Sequence, residues 1–215
     1  MKQFLTLKDH VYNYIAEQIT SGTLKPNEKI NEGIISKTLN ISRTPVREAL
    51  IQLSAEGLLE NTPRKGFVIK QMDINEAAEI YEIIGLLDGL AAELACPLLT
   101  KKDFKDLNFY IESMTLAIES ENFEMYYKCQ KDFHNVYLNH CPNENLVNLQ
   151  EQLKKKFLRH TYTGDNIETI KSILFSTNDE HKEIFSLLSN NKGKEANEFL
   201  KNVHWAPEKA NLESL

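Results

Sequence analysis

From Thr6 onward, apolar residues recur at Leu7, Val11, Ile15 and Ile19, the four-residue step that lines one face of a helix. Thr6 and Asp9 stand in the order of a capping box, so the helix is expected to begin there, and Gly22 supplies its stop. Pro26 interrupts the chain before a shorter stripe of Ile30, Ile34, Ile35 and Leu39, which ends at Asn40, a residue tolerant of the left-handed backbone of a tight turn. Ser42 is placed to cap a third helix, Pro45 suits its first turn, and Val46, Ala49, Leu50 and Leu53 mark its buried face. Two short helices joined by a brief turn predict a helix-turn-helix. After Gly57 the period shortens: Leu58–Asn61 and Phe67–Lys70 read as strands on either side of Thr62-Pro63-Arg64-Lys65-Gly66, a β-hairpin wing with a basic tip.

Beyond Met72 no strand-like alternation remains, only helical stretches broken near Pro97, Glu121, Pro142, Gly164 and Gly193. Ile80, Ile83, Ile84, Leu87, Leu90 and Leu94 give the first of these stretches a wide apolar face, suited to burial in a bundle and in part to a dimer interface. The expected fold is therefore mostly α. Residues 1–72 would form a winged helix-turn-helix of three helices plus a hairpin, and residues 73–215 an all-α bundle of about six or seven helices.

Charge sharpens this division. The 215 residues hold 25 Lys plus Arg against 31 Asp plus Glu, a net charge of −6, so the whole protein is no general nucleic-acid coat. Yet residues 1–72 carry ten basic against seven acidic side chains, and the remainder 15 against 24. Three of the four arginines, Arg43, Arg47 and Arg64, fall in the first part. A basic, polyanion-binding head thus precedes an acidic body. No run approaches the roughly 18 apolar residues of a membrane span. The N-terminal run lacks the apolar stretch of a secretory signal, and Cys96, Cys129 and Cys141 form no CxxC pair, so a cytoplasmic protein with reduced thiols is expected.

Two sets of side chains carry candidate chemistry. Arg43 and Arg47, four apart, share a face near the start of the third helix, away from Val46, Leu50 and Leu53. The planar guanidinium can donate two hydrogen bonds to guanine in the major groove, while Thr44 and the helix N-terminus can hold a phosphate, so the expected partner is double-stranded DNA. In the body, three histidines lie on otherwise apolar lines: His134 with Phe123, Tyr127, Gln130 and Tyr137; His181 with Thr177, Ile184 and Leu188; His204 with Ala196 and Leu200. A lone inward histidine is more often a satisfied core residue than a ligand. Three from separate helices can bind a divalent ion, zinc or nickel by their imidazole preference, with positions left open for water or a carboxylate.

The runs Gly22-Thr23-Leu24-Lys25-Pro26-Asn27-Glu28, Ser42-Arg43-Thr44-Pro45-Val46-Arg47-Glu48-Ala49-Leu50, Glu56-Gly57-Leu58 and Pro63-Arg64-Lys65-Gly66-Phe67 resemble the winged helix-turn-helix head of GntR-family transcription regulators. The resemblance implies that Arg43, Thr44 and Arg47 contact the operator from the recognition helix, and Arg64, Lys65 and Gly66 from the wing. Gly33 stands where some relatives carry a further DNA-contacting arginine. Asp132-Phe133-His134, Glu180-His181-Lys182-Glu183-Ile184 and Phe199-Leu200-Lys201-Asn202-Val203-His204 resemble the histidine-bearing segments of the FadR C-terminal (FCD) type of effector domain. This implies a ligand set of His134, His181 and His204, with Gln130 where the family usually has an Asp or Asn. Ile84 precedes Asp88 where relatives often place an arginine. Arg159, or Lys154, Lys155 and Lys156 beside it, is then left to hold a carboxylate effector, although the same run reads equally well as a solvated basic patch.

These features together predict a homodimeric regulator, expected to be a repressor, of a palindromic operator. A small organic acid, held at a three-histidine metal site, would control its DNA affinity. Two alternatives stand beside it: a metal-responsive regulator in which the ion is the signal, and a metal-dependent hydrolase with Glu180 or Glu183 as general base. The hydrolase leaves the basic head unexplained. The chain also has no HExxH pattern, phosphate-binding glycine loop or nucleophile elbow, so it is not expected to be an enzyme.

Overall fold

The computed structural model describes residues 6–20, 23–64, 66–156 and 166–212. Among them are nine α-helices and one two-stranded antiparallel sheet, the mostly helical architecture with a small wing that the hydrophobic pattern predicts. Two compact units divide the described residues, 6–73 with 154–156 in one, and 74–153 with 166–212 in the other. Lys154, Lys155 and Lys156, which the sequence reading assigns to the acidic body, are grouped with the first unit.

In the first unit, α1 (Leu7–Thr20) opens on the Thr6/Asp9 capping box: the Thr6 amide donates to Asp9 Oδ2 at 2.8 Å and the Asp9 amide to Thr6 Oγ1 at 3.2 Å. Gly22, the expected stop, lies outside the described residues. Asn31 caps α2 (Glu32–Leu39) by accepting from the Gly33 and Ile34 amides. That helix ends where Asn40 turns left-handed at φ 53°, and the Ser36 hydroxyl closes the corner on the Ile41 carbonyl at 2.6 Å. The third helix, α3 (Arg43–Ala55), follows at once. Ser42 occupies its cap position in extended conformation, but its side chain makes no capping bond, a correction to the sequence reading.

The wing pairs β1 (Leu59–Thr62) with β2 (Gly66–Ile69), each displaced by one residue from its expected place. Positive φ at Arg64 (68°) and Gly66 (81°) makes the turn, and the second of these suits a residue without Cβ. A bridge from Lys29 to Val68, with the Ile30 amide donating to the Phe67 carbonyl at 2.9 Å, ties the wing to the segment ahead of α2. Val11, Ile15, Ile35, Val46, Leu50, Leu53, Phe67 and Ile69 fill one core beneath all of these elements. Each such burial contributes about 1.5–3 kcal/mol, which is what lets short helices and a two-stranded hairpin persist.

The second unit contains α4 (Ile74–Ala95), α5 (Lys101–Glu119), α6 (Phe123–Leu138), most of α7 (Glu144–Lys154), α8 (Ile167–Ser189) and α9 (Gly193–Phe199). α5 packs on α6 and α8, and α4 on α9 and α6. α9 runs into a π-helical turn at Leu200–His204, and a 3₁₀ segment follows at Pro207–Leu212. The inner face of α4 differs from the one the pattern predicts. Ile80 and Ile84 are buried, but beside them lie Ala77, Gly85, Gly89, Ala91, Ala92 and Ala95, whereas Ile83, Leu86 and Leu90 are 40–48% exposed. Close approach of α9 explains the small residues: a Cβ at Gly89 would sit 2.8 Å from the Asn197 carbonyl oxygen, and one at Gly85 3.1 Å from Trp205 Cβ.

α5 starts at a second capping box, in which the Thr100 amide and hydroxyl donate to Asp103 Oδ2 at 2.8 and 2.6 Å, and His140 Nε2 lies 3.1 Å from Asp103 Oδ1. Burial alone would raise the Asp103 pKa, but these hydrogen bonds and the histidine outweigh it and hold the carboxyl at about 2. A depressed folded-state pKa stabilises the fold above the ordinary value of 3.8, and this contribution is lost as pH falls toward 2. Asp103→Ala is therefore expected to lower urea-unfolding stability by about 1 kcal/mol at pH 7. The gap to the parent should narrow between about pH 4 and 2; a gap independent of pH would refute the assignment.

Candidate functional site

Arg43, Thr44 and Arg47 are all exposed at the start of α3, while Val46, Ala49, Leu50 and Leu53 are buried beneath them. The helix thus presents both guanidinium groups and its own N-terminal amides on one open face, the chemistry that phosphate and guanine edges require. Arg64 is exposed at the wing tip, and Gly66 opens β2 behind it. Lys65, between them, lies outside the described residues. A Cβ at Gly33, on α2, would stand a tight 3.3 Å from Asn31 Oδ1 and 3.8 Å from Arg43 Nη2.

The second candidate site is buried in the bundle. His134 comes from α6, His181 from α8 and His204 from the π-turn; all three are at most 5% exposed, and each offers a nitrogen within 4.8 Å of the others. His134 Nε2 and His204 Nε2 are 3.2 Å apart. His181 completes the group, its ring centroid 5.4 Å from that of His134 and 4.8 Å from that of His204. Gln130, one turn before His134 on α6, is buried on the same helix line. Arg159, the expected effector contact, lies outside the described residues.

Two carboxylates stand behind these rings, and sequence reasoning gave neither a structural role. Asp88 on α4, with no solvent exposure, lies 3.0 Å from His134 Nδ1. It accepts from the Tyr137 hydroxyl at 2.9 Å, from Gln150 Nε2 at 2.5 Å and from Trp205 Nε1 at 2.7 Å. Glu180 on α8 accepts at Oε2 from His204 Nδ1 at 2.9 Å, and Lys209 binds its other oxygen. Burial would raise the Glu180 pKa, but the bonds from His204 and Lys209 overcome it and lower the value. Tyr137 is driven the opposite way, well above the ordinary phenol value, by complete burial and by the adjacent Asp88 charge. With both oxygens engaged, Glu180 is not a free general base, and Glu183 is exposed to solvent.

The network favours one tautomer at each of two histidines. An ionised Glu180 can only accept, which suits a proton on His204 Nδ1. Tyr137 donates its proton to Asp88, which leaves its oxygen as an acceptor for His134 Nδ1–H at 2.5 Å, shared with Asp88. Both Nε2 atoms then turn lone pairs toward each other across 3.2 Å. Two lone pairs this close would call for a cation between the nitrogens. A shared proton would use two nitrogens, whereas the convergence of a third imidazole suits a divalent metal ion, so the residues present fit such a group.

The π-turn explains how His204 reaches this position. Its wider spiral, closed by the Trp205 amide on the Leu200 carbonyl at 2.9 Å, brings two consecutive side chains inward: His204 to His134, and Trp205 to Asp88. Asp88 leaves a faint trace in the sequence as the one acid on the inner line after Ile80 and Ile84. Trp205 and Gln150 leave none that periodicity detects.

Comparison with known proteins finds two family matches in the chain. Residues 7–69 match the family described as bacterial regulatory proteins, gntR family, and residues 79–203 match the FCD domain. The chain is 35% identical over 191 residues to an uncharacterized HTH-type transcriptional regulator, YdhC, of Bacillus subtilis (strain 168), covering 86% of this chain and 81% of the relative. It is 28% identical over 176 residues to the Nta operon transcriptional regulator of Aminobacter aminovorans, covering 82% and 80%. Among solved structures, E. coli McbR/YncC shares the fold with a TM-score of 0.78 at 22% identity, over 94% of each chain.

Proposed function

The chain belongs to the GntR family of bacterial regulatory proteins and carries an FCD domain; from that premise we propose that it is a homodimeric repressor whose operator affinity depends on a divalent ion held by His134, His181 and His204. Its family and named relatives are transcriptional regulators, not enzymes. The observation that carries the metal reading is the approach of two Nε2 atoms to 3.2 Å beside a third imidazole. The ion, zinc or nickel by ligand chemistry, would supply fixed positive charge and open coordination positions. A small carboxylate could take those positions, and this is where the organic-acid effector finds its place. A second reading, in which the ion is itself the signal, is favoured by Asp88: its buried charge, with that of Glu180 met by Lys209, already offsets part of the charge of a divalent ion.

In the head, Arg43, Thr44 and Arg47 would read the major groove, with Arg64, Lys65 and Gly66 against the backbone. In the body, the exposed stripe Ile83, Leu86 and Leu90 on α4 is an apolar face that a second copy would cover. Two-fold symmetry would match two heads to a palindrome, and occupancy of a promoter would exclude polymerase.

Four outcomes are expected. Arg47→Ala should weaken binding to a palindrome selected from genomic fragments by about 1–3 kcal/mol, read by fluorescence anisotropy at near-physiological salt; unchanged affinity would remove α3 from the reading surface. Stripping the ion with a chelator should change operator affinity by about 5- to 150-fold, with zinc restoring it. Small carboxylates added to the zinc-loaded protein should shift affinity further only under the organic-acid reading; indifference to both chelator and carboxylates would reduce the histidines to core packing. Leu86→Glu should convert a dimer into a monomer in light scattering after size exclusion, and a monomeric parent would sink the α4 interface.

A further inference from the structure

We propose that Asp88 and Glu180 are positioning residues which set the affinity of the histidine cluster for its ion, by holding His134 and His204 in the Nδ1–H tautomer with their rings fixed. This rests on the metal reading given above. The two carboxylates do the same thing from opposite sides. Each lies at hydrogen-bond distance behind a ring, 3.0 Å from His134 Nδ1 and 2.9 Å from His204 Nδ1, and each thereby leaves the Nε2 lone pair of that ring pointing into the cluster. A carboxylate behind an imidazole also makes the far nitrogen a stronger donor to a cation.

Neither carboxylate can be a ligand in this arrangement, because each sits on the side of its ring away from the cluster. Each is instead held in place by further donors. Tyr137, Gln150 and Trp205 converge on Asp88 from three separate stretches of chain, and Lys209 steadies Glu180. A buried aspartate that served only to join helices would need donors, but it would not need one of them to be a histidine whose other nitrogen faces two more. The repetition at Glu180 argues the same way.

Asp88→Asn and Glu180→Gln test this with the shape retained. An amide at position 88 keeps one oxygen for His134, Tyr137 and Trp205, and Gln150, whose Oε1 has no hydrogen-bond partner, can reverse its amide to accept the new N–H. Folding is checked by thermal unfolding, zinc affinity by competition with a chelating dye, and tautomers by NMR of the ring nitrogens in the ion-free protein. Each substitution should weaken zinc binding on the order of 10–100-fold. The parent should show Nδ1–H at His134 and His204, and each variant should lose this preference at the ring it serves. Folded variants that bind zinc as tightly as the parent would overturn the proposal, as would Nε2–H tautomers in the parent. If the parent took up no zinc, the metal reading would fall. The ring-nitrogen spectra would still decide whether the carboxylates hold the rings.

Discussion

A carboxylate removed entirely from water has to be met by donors on every side, since even after relaxation the penalty for burying an ion is several kcal/mol. Asp88 is in that position, and the arrangement of the helical unit follows from how it is satisfied. Its donors are Tyr137 and His134 on α6, Gln150 on α7 and Trp205 beyond α9, so one anion on α4 fixes three other parts of the chain around it. Close packing makes this feasible. Gly85 and Gly89 let the last helix come against α4 near enough for an indole N–H to reach the carboxylate. Apolar burial supplies most of the stability of such a bundle, but it is indifferent to register. The polar centre selects one arrangement among the many that would bury the same area.

The head was legible in the sequence because its rules are local. A capping box spans four residues, a left-handed asparagine ends α2 by its own conformational tolerance, and the stripe on α3 repeats within two turns. The failure at Ser42 is of the same scale: the cap position was right, yet its side chain makes no bond to the helix. The body was legible in part. Helical periodicity brought Gln130, His134 and Tyr137 to one buried line, and Ala196, Leu200 and His204 to another. It could not show Asp88 at the centre, because the donors that satisfy it stand 49, 62 and 117 residues away. Nor could it show which face of α4 turns inward. Large side chains look like core, and here the room was given to Ala and Gly because a neighbouring backbone needed it.

The two units also use charge in opposite ways. On α3 and the wing, arginines remain in water, where attraction to a polyanion is long-ranged and falls with salt. In the bundle, Asp88 and Glu180 are enclosed, and their influence passes through hydrogen bonds to particular ring atoms. A transcriptional regulator that must find DNA from a distance, and that on the proposed reading holds an ion at contact, has reason to keep these two kinds of electrostatics in separate parts of its chain.

Trp205 is the only tryptophan among the 215 residues, and its indole N–H ends on the same carboxylate oxygen that faces His134. Indole emission depends on the charge near the ring, because excitation shifts electron density from the pyrrole toward the benzene half. The chain therefore carries an optical gauge of its own histidine centre, one side chain removed from it and needing no label. Colour and intensity of intrinsic emission become a direct view of that centre in the full-length protein, in solution and with DNA present.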